Sequence, residues 1–174
     1  MECDFTIATN AANDVAIGTI GSMISLYKVP YKLRWDILGC GSASRARNIM
    51  AQRFLKDNQS PYLIFLDRDI VFTPEDIGKL LENLRNGYDL IAGCYAIKGA
   101  MTLTSSGDGK ESLRLDGTIK EVKYLATGFM GISRNLLEKM KVGLELPLLH
   151  EGVDMEAYPF FEERWYDDPD VGNM

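Results

Sequence analysis

Asp67 and Asp69 are separated by one residue, Arg68, at the point where an apolar run stops and a polar turn begins. Hard oxygen ligands of this kind suit Mg²⁺ or Mn²⁺, which take one or two protein carboxylates and complete their shell with water and substrate phosphate oxygens. If the backbone stays extended through the tripeptide, both carboxylates face the same way. The competing reading of the same residues is a polar strand-to-helix turn, with either acid paired to Arg68 or capping the turn.

A second group lies upstream. Gly39-Cys40-Gly41-Ser42-Ala43-Ser44 joins an apolar segment to a helix that opens with Arg45, Arg47 and Asn48. A strand, a glycine-rich turn and a helix start can cradle a phosphate. As a dinucleotide fingerprint it is incomplete, because Ser44 stands at the third glycine position and no acid is placed for a ribose. Cations in a first turn oppose the helix dipole at a cost of about 0.3–1 kcal/mol each, so their presence points to an anion nearby. Solvated arginines on an exposed helix start are the alternative.

These residues need elements to position them. Leu63-Ile64-Phe65-Leu66 lacks alternation, the pattern of a strand covered on both faces in a parallel sheet, and it leads directly into Asp67. Carboxyl ends of such strands are where open α/β sheets bind ligands. Thr73 and Pro74 then supply the cap and first turn of a helix with Ile77, Leu80, Leu81 and Leu84 on one stripe, closed by Asn86-Gly87. Phe5 to Ala8 predicts a first strand. Asn13-Asp14 predicts a cap for a helix whose stripe Ile17, Ile20, Ile24 and Tyr27 is read as core packing.

Leu33 to Leu38, carrying Asp36, predicts a second strand, and Ala46, Ile49, Met50 and Phe54 mark the buried side of the helix after the glycine-rich turn. Tyr88 to Tyr95 reads as a further strand. Asp116-Gly117 signals a hairpin within an antiparallel excursion over 102–124. The segment 125–132 reads as a strand or bend, after which Ser133 caps a short helix. Beyond Gly143 regular signals fade, and Pro147, Pro159 and Pro169 with the acidic, aromatic run 160–170 suggest irregular surface structure.

At 174 residues the chain suits a single domain spanning 1–174, long enough to bury roughly 70% of its unfolded surface. Its net charge of −6 argues against a broad nucleic-acid footprint, which needs clustered Lys and Arg. Cys3, Cys40 and Cys94 are odd in number and lack metal spacing, which favours a reducing, cytoplasmic location over a disulfide framework. Val15 to Tyr27 is too short for a bilayer crossing of about 20 residues, so no transmembrane segment is expected.

With these residues laid out, the chain resembles glycosyltransferases of the nucleotide-sugar-binding GT-A fold, close to the large inverting family 2 and its mannan-polymerase-like relatives. Residues 44 to 76, SRARNIMAQRFLKDNQSPYLIFLDRDIVFTPED, carry most of it: an Ala-Arg-Asn helix start, an apolar strand, the Asp-x-Asp and a Pro-containing helix start. Leu90-Ile91-Ala92-Gly93-Cys94-Tyr95 with Lys98 is similar to the family's "aGxYxxK" segment. Ala126-Thr127-Gly128-Phe129-Met130 is similar to its small-residue donor-site segment. The resemblance implies a Rossmann-like three-layer α/β/α fold with a mostly parallel sheet.

It also implies metal-dependent transfer of a sugar from a UDP- or GDP-sugar to a hydroxyl of a glycan or other acceptor. Asp69 would hold Mn²⁺ or Mg²⁺ and Asp67 would face the ribose or the metal. Arg45, Arg47 and Asn48 would serve the diphosphate or base, Thr9 and Asp36 the nucleoside pocket, and Lys98 and Gly128 the donor. His150, the sole histidine, is a candidate third metal ligand, with a surface role as the alternative. Family members carry an acidic pair ahead of an aromatic and an arginine-rich helix, whose acid is the catalytic base. Here Asp167-Asp168 runs straight into Pro169 and the chain stops at Met174. The base therefore lies beyond Met174, or is Asp167 or Asp168, or catalysis has been lost. That last option makes the chain a non-catalytic nucleotide-sugar-binding or assembly module. A metal-dependent nucleotidyltransferase is a third class, but its glycine-rich, lysine-bearing loop is missing from Thr9 to Val15.

Overall fold

The computed structural model describes residues 3–12, 14–57, 59–96, 116–150 and 156–162. Strands β1 (Phe5–Asn10), β2 (Leu33–Leu38), β3 (Tyr62–Leu66), β4 (Leu90–Ala92) and β5 (Phe129–Ser133) form one sheet in the order β2-β1-β3-β5-β4. β1 is parallel to β2 and to β3. β5 enters between β3 and β4 and runs antiparallel to both. Four strands thus point one way, and β3 is central, as its unbroken apolar run predicts.

Helices α1 (Ile17–Ser25) and α3 (Pro74–Arg85) cover one face; α2 (Ala43–Asp57) and α4 (Arg134–Gly143) cover the other. Strand alternation feeds both cores. Phe5, Ile7, Ile64 and Leu66 join Leu26, Phe72, Ile77 and Leu81 on the first face. Ala8, Leu63 and Phe65 join Ala46, Met50, Phe54 and Leu137 on the second. This three-layer α/β/α arrangement is the expected fold.

The caps follow the sequence closely. Thr73 accepts from the Asp76 amide at 3.3 Å while Asp76 accepts from the Thr73 amide at 2.8 Å, a reciprocal capping box ahead of Pro74. Ser133 accepts from the Leu136 amide at 3.0 Å and starts α4. Asn86 closes α3 and Gly87 takes φ +100°, the left-handed step that favours glycine.

Three expectations change. α1 begins after Ala16, with no side-chain cap, so Asn13-Asp14 is not its cap. Its Ile stripe faces outward: Ile17 is 89% exposed, Ile24 59% and Tyr27 87%, whereas Thr19, Ser22 and Leu26 are buried. Ser22 faces inward because its Oγ accepts from the buried Phe72 amide at 3.0 Å, a donor that the opposite orientation would leave unpaired. Third, Tyr88 to Tyr95 forms a strand only over Leu90–Ala92, after which the Gly93 amide still donates to the Phe129 carbonyl at 2.9 Å. The antiparallel excursion lies largely outside the described residues. Within it, Gly117 takes φ +79° beside Asp116.

Beyond α4, two short strands, β6 (Leu149–His150) and β7 (Glu156–Ala157), pair antiparallel, which the fading of regular signals did not predict. The stretch after β7 then runs back along α2. Asn48 grips it from both sides, its Nδ2 donating to the Phe161 carbonyl at 2.9 Å and its Oδ1 accepting from the Phe161 amide at 2.8 Å.

Candidate functional site

Because β1, β2, β3 and β4 run the same way and β5 runs back, one edge of the sheet gathers Asn10, the 39–42 turn, Asp67, Gly93 to Tyr95 and Gly128. Asn10 braces this edge. Its side chain donates to the Cys40 carbonyl at 3.0 Å and accepts from the Cys40 amide at 3.0 Å, and Ala12, held at φ +30°, donates to the same Asn10 oxygen at 3.3 Å. A non-glycine residue in that region stores strain, which is commoner at ligand sites than elsewhere. Ser42 caps α2 by accepting from the Arg45 amide at 3.3 Å.

Arg47 and Asp67 form the polar centre of this edge. Nη2 of Arg47 lies 2.7 Å from Oδ1 of Asp67, with the arginine side chain 13% and the aspartate side chain 42% exposed. The anion that the basic first turn of α2 called for is, in this structure, the first carboxylate of the Asp-x-Asp. The Asp67 amide donates to the Gly128 carbonyl at 2.7 Å, extending the β3–β5 ladder by one rung and fixing where the carboxylate stands.

A side chain at Gly128 would have to push aside the ends of two neighbouring side chains. A Cβ there would lie 2.2 Å from Oη of Tyr95 and 2.7 Å from Oδ2 of Asp67. Its amide donates to Oη of Tyr95 at 3.0 Å. Gly93 is equally constrained, since a Cβ would lie 2.3 Å from the Phe129 ring. The Gly-x-Tyr of one loop and the Gly-Phe of the next therefore interlock, and they place a tyrosine hydroxyl beside Asp67.

The Asp67-Arg68-Asp69 tripeptide departs from the extended geometry assumed for it. The Ile70 amide donates to the Asp67 carbonyl at 3.2 Å, so the backbone turns at once, and strand alternation does not align the two carboxylates. Asp69 sits exposed on that turn and makes no ion pair among the described residues. Arg68 reaches away from both acids to pair with Asp14, which removes the reading in which it neutralises them. No group of three or more His, Cys, Asp or Glu able to hold a metal is present among the described residues. Two carboxylates in one turn still match a cation that draws most of its ligands from water and a bound diphosphate.

The other candidates are placed as follows. Thr9 is fully buried, its hydroxyl accepting from Nε1 of Trp35 at 3.3 Å, which leaves it no surface for a nucleoside. Asp36 pairs with Arg53 of α2 at 3.0 Å. Arg45 is exposed at the start of α2, and both polar ends of the Asn48 side chain are taken up by Phe161. His150 belongs to β6, opposite Glu156, which pairs with Lys56. Lys56 is nine residues beyond Arg47, about 14 Å along α2, so β6 is placed at the far end of that helix from Asp67. Lys98, Asp167 and Asp168 lie outside the described residues. Sequence reading missed Asn10 and Tyr95; the aGxY pattern contained Tyr95, but its hydroxyl finds Gly128 only through the β4–β5 pairing.

Two comparisons place this geometry among known proteins, and a search of curated proteins gave no match. The crystal structure titled A197 from STIV superposes with a TM-score of 0.63 at 24% identity, over 80% of this chain and 69% of that one, which establishes a shared fold. The sequence pattern of glycosyl transferase family 2 matches residues 42–141, from the cap of α2 through Arg47, Asp67, Asp69, Tyr95 and Gly128 to α4. The chain belongs to glycosyl transferase family 2.

Proposed function

We propose that the chain binds a nucleoside-diphosphate sugar at this sheet edge and transfers the sugar to an acceptor hydroxyl. The observation that carries the reading is the Arg47–Asp67 pair, set at 2.7 Å within the family-matched region and packed closely against Gly128. Arg47 supplies a guanidinium fork suited to phosphate oxygens. Asp67, held by the Gly128 carbonyl and by Arg47, supplies a fixed acceptor for ribose hydroxyls, and the Tyr95 hydroxyl stands next to it.

Asp69, exposed and without an ion pair among the described residues, with the second oxygen of Asp67, would hold Mn²⁺ or Mg²⁺. Such a cation, when bound, neutralises charge on the diphosphate leaving group. Hexosyl transfer of the mannan-polymerase-like kind is the finer form of the same reading. The test is incubation with a panel of UDP- and GDP-sugars, following release of nucleoside diphosphate with simple sugar acceptors. The expected result is release from one nucleotide class that Arg47→Ala abolishes; release from none, with tight nucleotide binding retained, favours the non-catalytic binding module.

A further inference from the structure

The donor site makes no use of the outer edge of β2. β2 ends the sheet on one side with six residues, whereas β4, on the other side, has three. The carbonyls of Lys32 and Leu38 accept from the Asp4 and Ala11 amides on the β1 side, and the Cys40 amide donates to the Asn10 side chain on that side too. Amide and carbonyl directions alternate along a strand, so the even residues face β1 while Leu33, Trp35 and Ile37 turn both groups outward. Among the described residues no strand pairs with that edge. Its register with β1 runs unbroken over six residues and it contains no proline, so neither a bulge nor a missing donor blunts it. The remaining device is edge charge, and β2 carries two charges of opposite sign, Arg34 and Asp36.

Those charges select what the edge can pair with. Both lean onto α2, where Arg34 pairs with Asp57 and Asp36 with Arg53 at 3.0 Å, and the Arg34 side chain keeps 37% of its surface open. A second copy laid antiparallel about a two-fold axis can centre on Arg34, on Trp35 or on Asp36; centres further out shorten the overlap. Centring on Arg34 or Asp36 sets that residue against itself, two like charges with Cα atoms about 4.5 Å apart. Centring on Trp35 instead sets Arg34 of each copy opposite Asp36 of the other. In that register Trp35 meets its own copy and Leu33 meets Ile37, all of them outward-facing, so they form the hydrogen-bonded pairs. Arg34 and Asp36 fall in the non-hydrogen-bonded pairs, where side chains come closest. Charges of alternating sign then run across the junction, from Asp57 and Arg34 of one copy to Asp36 and Arg53 of the other. Ile37, 54% exposed in the single chain, gains a neighbour.

We propose that a second copy of this chain pairs with the outer edge of β2, antiparallel about a two-fold axis at Trp35, so that two five-stranded sheets become one. Such a contact uses the same surface on both copies and closes at the dimer. Because the two β2 strands run opposite ways and each leads into its own 39–42 turn, the two donor edges open at opposite ends of the joined sheet and neither covers the other. The contact is a strand edge with its flanking side chains, smaller than the roughly 800 Å² per partner of a standard interface, so the dimer dissociates on dilution.

Sedimentation velocity of the full chain over a series of concentrations tests this, without nucleotide, so that its outcome is independent of the transferase reading. A monomer at low concentration should give way to a dimer at high concentration. Arg34→Glu and Asp36→Arg should each raise the dissociation constant by about tenfold or more, since each sets like charges opposite one another twice per dimer. An equimolar mixture of these two variants should recover the dimer, because the acid introduced in one faces the base introduced in the other. Ile37→Pro removes an outward amide from an exposed position and should abolish the dimer with the fold intact by circular dichroism, since proline is tolerated on the free side of an edge strand. Should a charge variant fail to fold, Ile37→Pro alone decides. A monomer at every concentration overturns the proposal, as does association that continues past the dimer or a dimer that Ile37→Pro leaves intact. Charge variants that leave the dimer unweakened, or that weaken it without recovery in the mixture, overturn the Trp35-centred register.

Discussion

Arg47 reaches across from α2 to Asp67 at the end of β3, twenty residues further along the chain, with its Nη2 2.7 Å from the Asp67 Oδ1. The arginine is mostly covered while the carboxylate keeps a wet side. On the proposed reading the pair exchanges partners with a phosphate rather than binding the core together. Arg47→Ala should cost only about 1 kcal/mol in denaturant unfolding, because Asp67 can recover its hydration, yet weaken nucleotide binding by about tenfold or more. Arg47→Lys should restore stability but not binding, since an ammonium does not reproduce the fork. Equal losses in both measurements would make the pair a structural tie only.

Gly128→Ala should be destabilising by about 1–3 kcal/mol, the usual cost of forcing atoms into a filled space. The inserted methyl meets Oη of Tyr95 at 2.2 Å and Oδ2 of Asp67 at 2.7 Å. Tyr95→Phe removes the nearer of these atoms, so the double variant should lose less than the sum of the singles. Additive losses in a double-mutant cycle would deny the contact.

Arg134 holds the far end of the sheet. Its guanidinium donates to the carbonyls of Phe54 at 2.8 Å, Leu55 at 3.2 Å and Ser60 at 2.9 Å, and it stacks over the Phe54 ring at 4.1 Å. Burial lowers its pKa from the ordinary arginine value without removing its charge at neutral pH. Arg134→Met keeps the packing but strands three acceptors, and should cost about 2–4 kcal/mol by thermal or denaturant unfolding, with nucleotide affinity unchanged once folded.

The two helix starts at Thr73 and Ser133 were legible in the sequence because a cap is a local device: the side chain that marks it also makes the bond. β3 was legible because a doubly covered strand needs no alternation. The orientation of α1 was not. Periodicity separates two faces of a helix but does not say which is inward, and the deciding contact, Ser22 with the Phe72 amide, is fifty residues away in sequence. The Asp-x-Asp itself was visible, whereas its turn and its partner were not, since Arg47 meets Asp67 only once α2 lies across β3. Asn48 looked like a ligand residue by its place beside Arg47. Its side chain points to Phe161, a contact that spans 113 residues and has no sequence signature.

The Asp116 carboxyl is pulled down to about 2, first by the Thr118 hydroxyl at 2.5 Å and then by the Thr118 amide. A carboxylate whose folded pKa lies below its ordinary value of 3.8 contributes stability that is complete above that value and is lost as pH falls toward 2. Thr118→Ala removes the larger cause and keeps the amide bond. The Asp116 titration, followed by carboxyl NMR, should therefore move up toward the ordinary value; an unmoved midpoint would deny the hydroxyl contact.

The most direct test of the central claim is calorimetric titration of UDP and of GDP with and without Mn²⁺, on the wild type and on Asp69→Asn. A site with two carboxylates in one turn should bind Mn²⁺ weakly alone and more tightly once a diphosphate completes its shell. By linkage, the metal must then tighten the nucleotide by the same factor. Asp69→Asn, an exposed isosteric change, should leave unfolding unchanged and abolish the mutual enhancement. Nucleotide binding that ignores the metal, or that keeps its metal dependence in Asp69→Asn, would contradict the account and leave Asp67-Arg68-Asp69 as a polar turn.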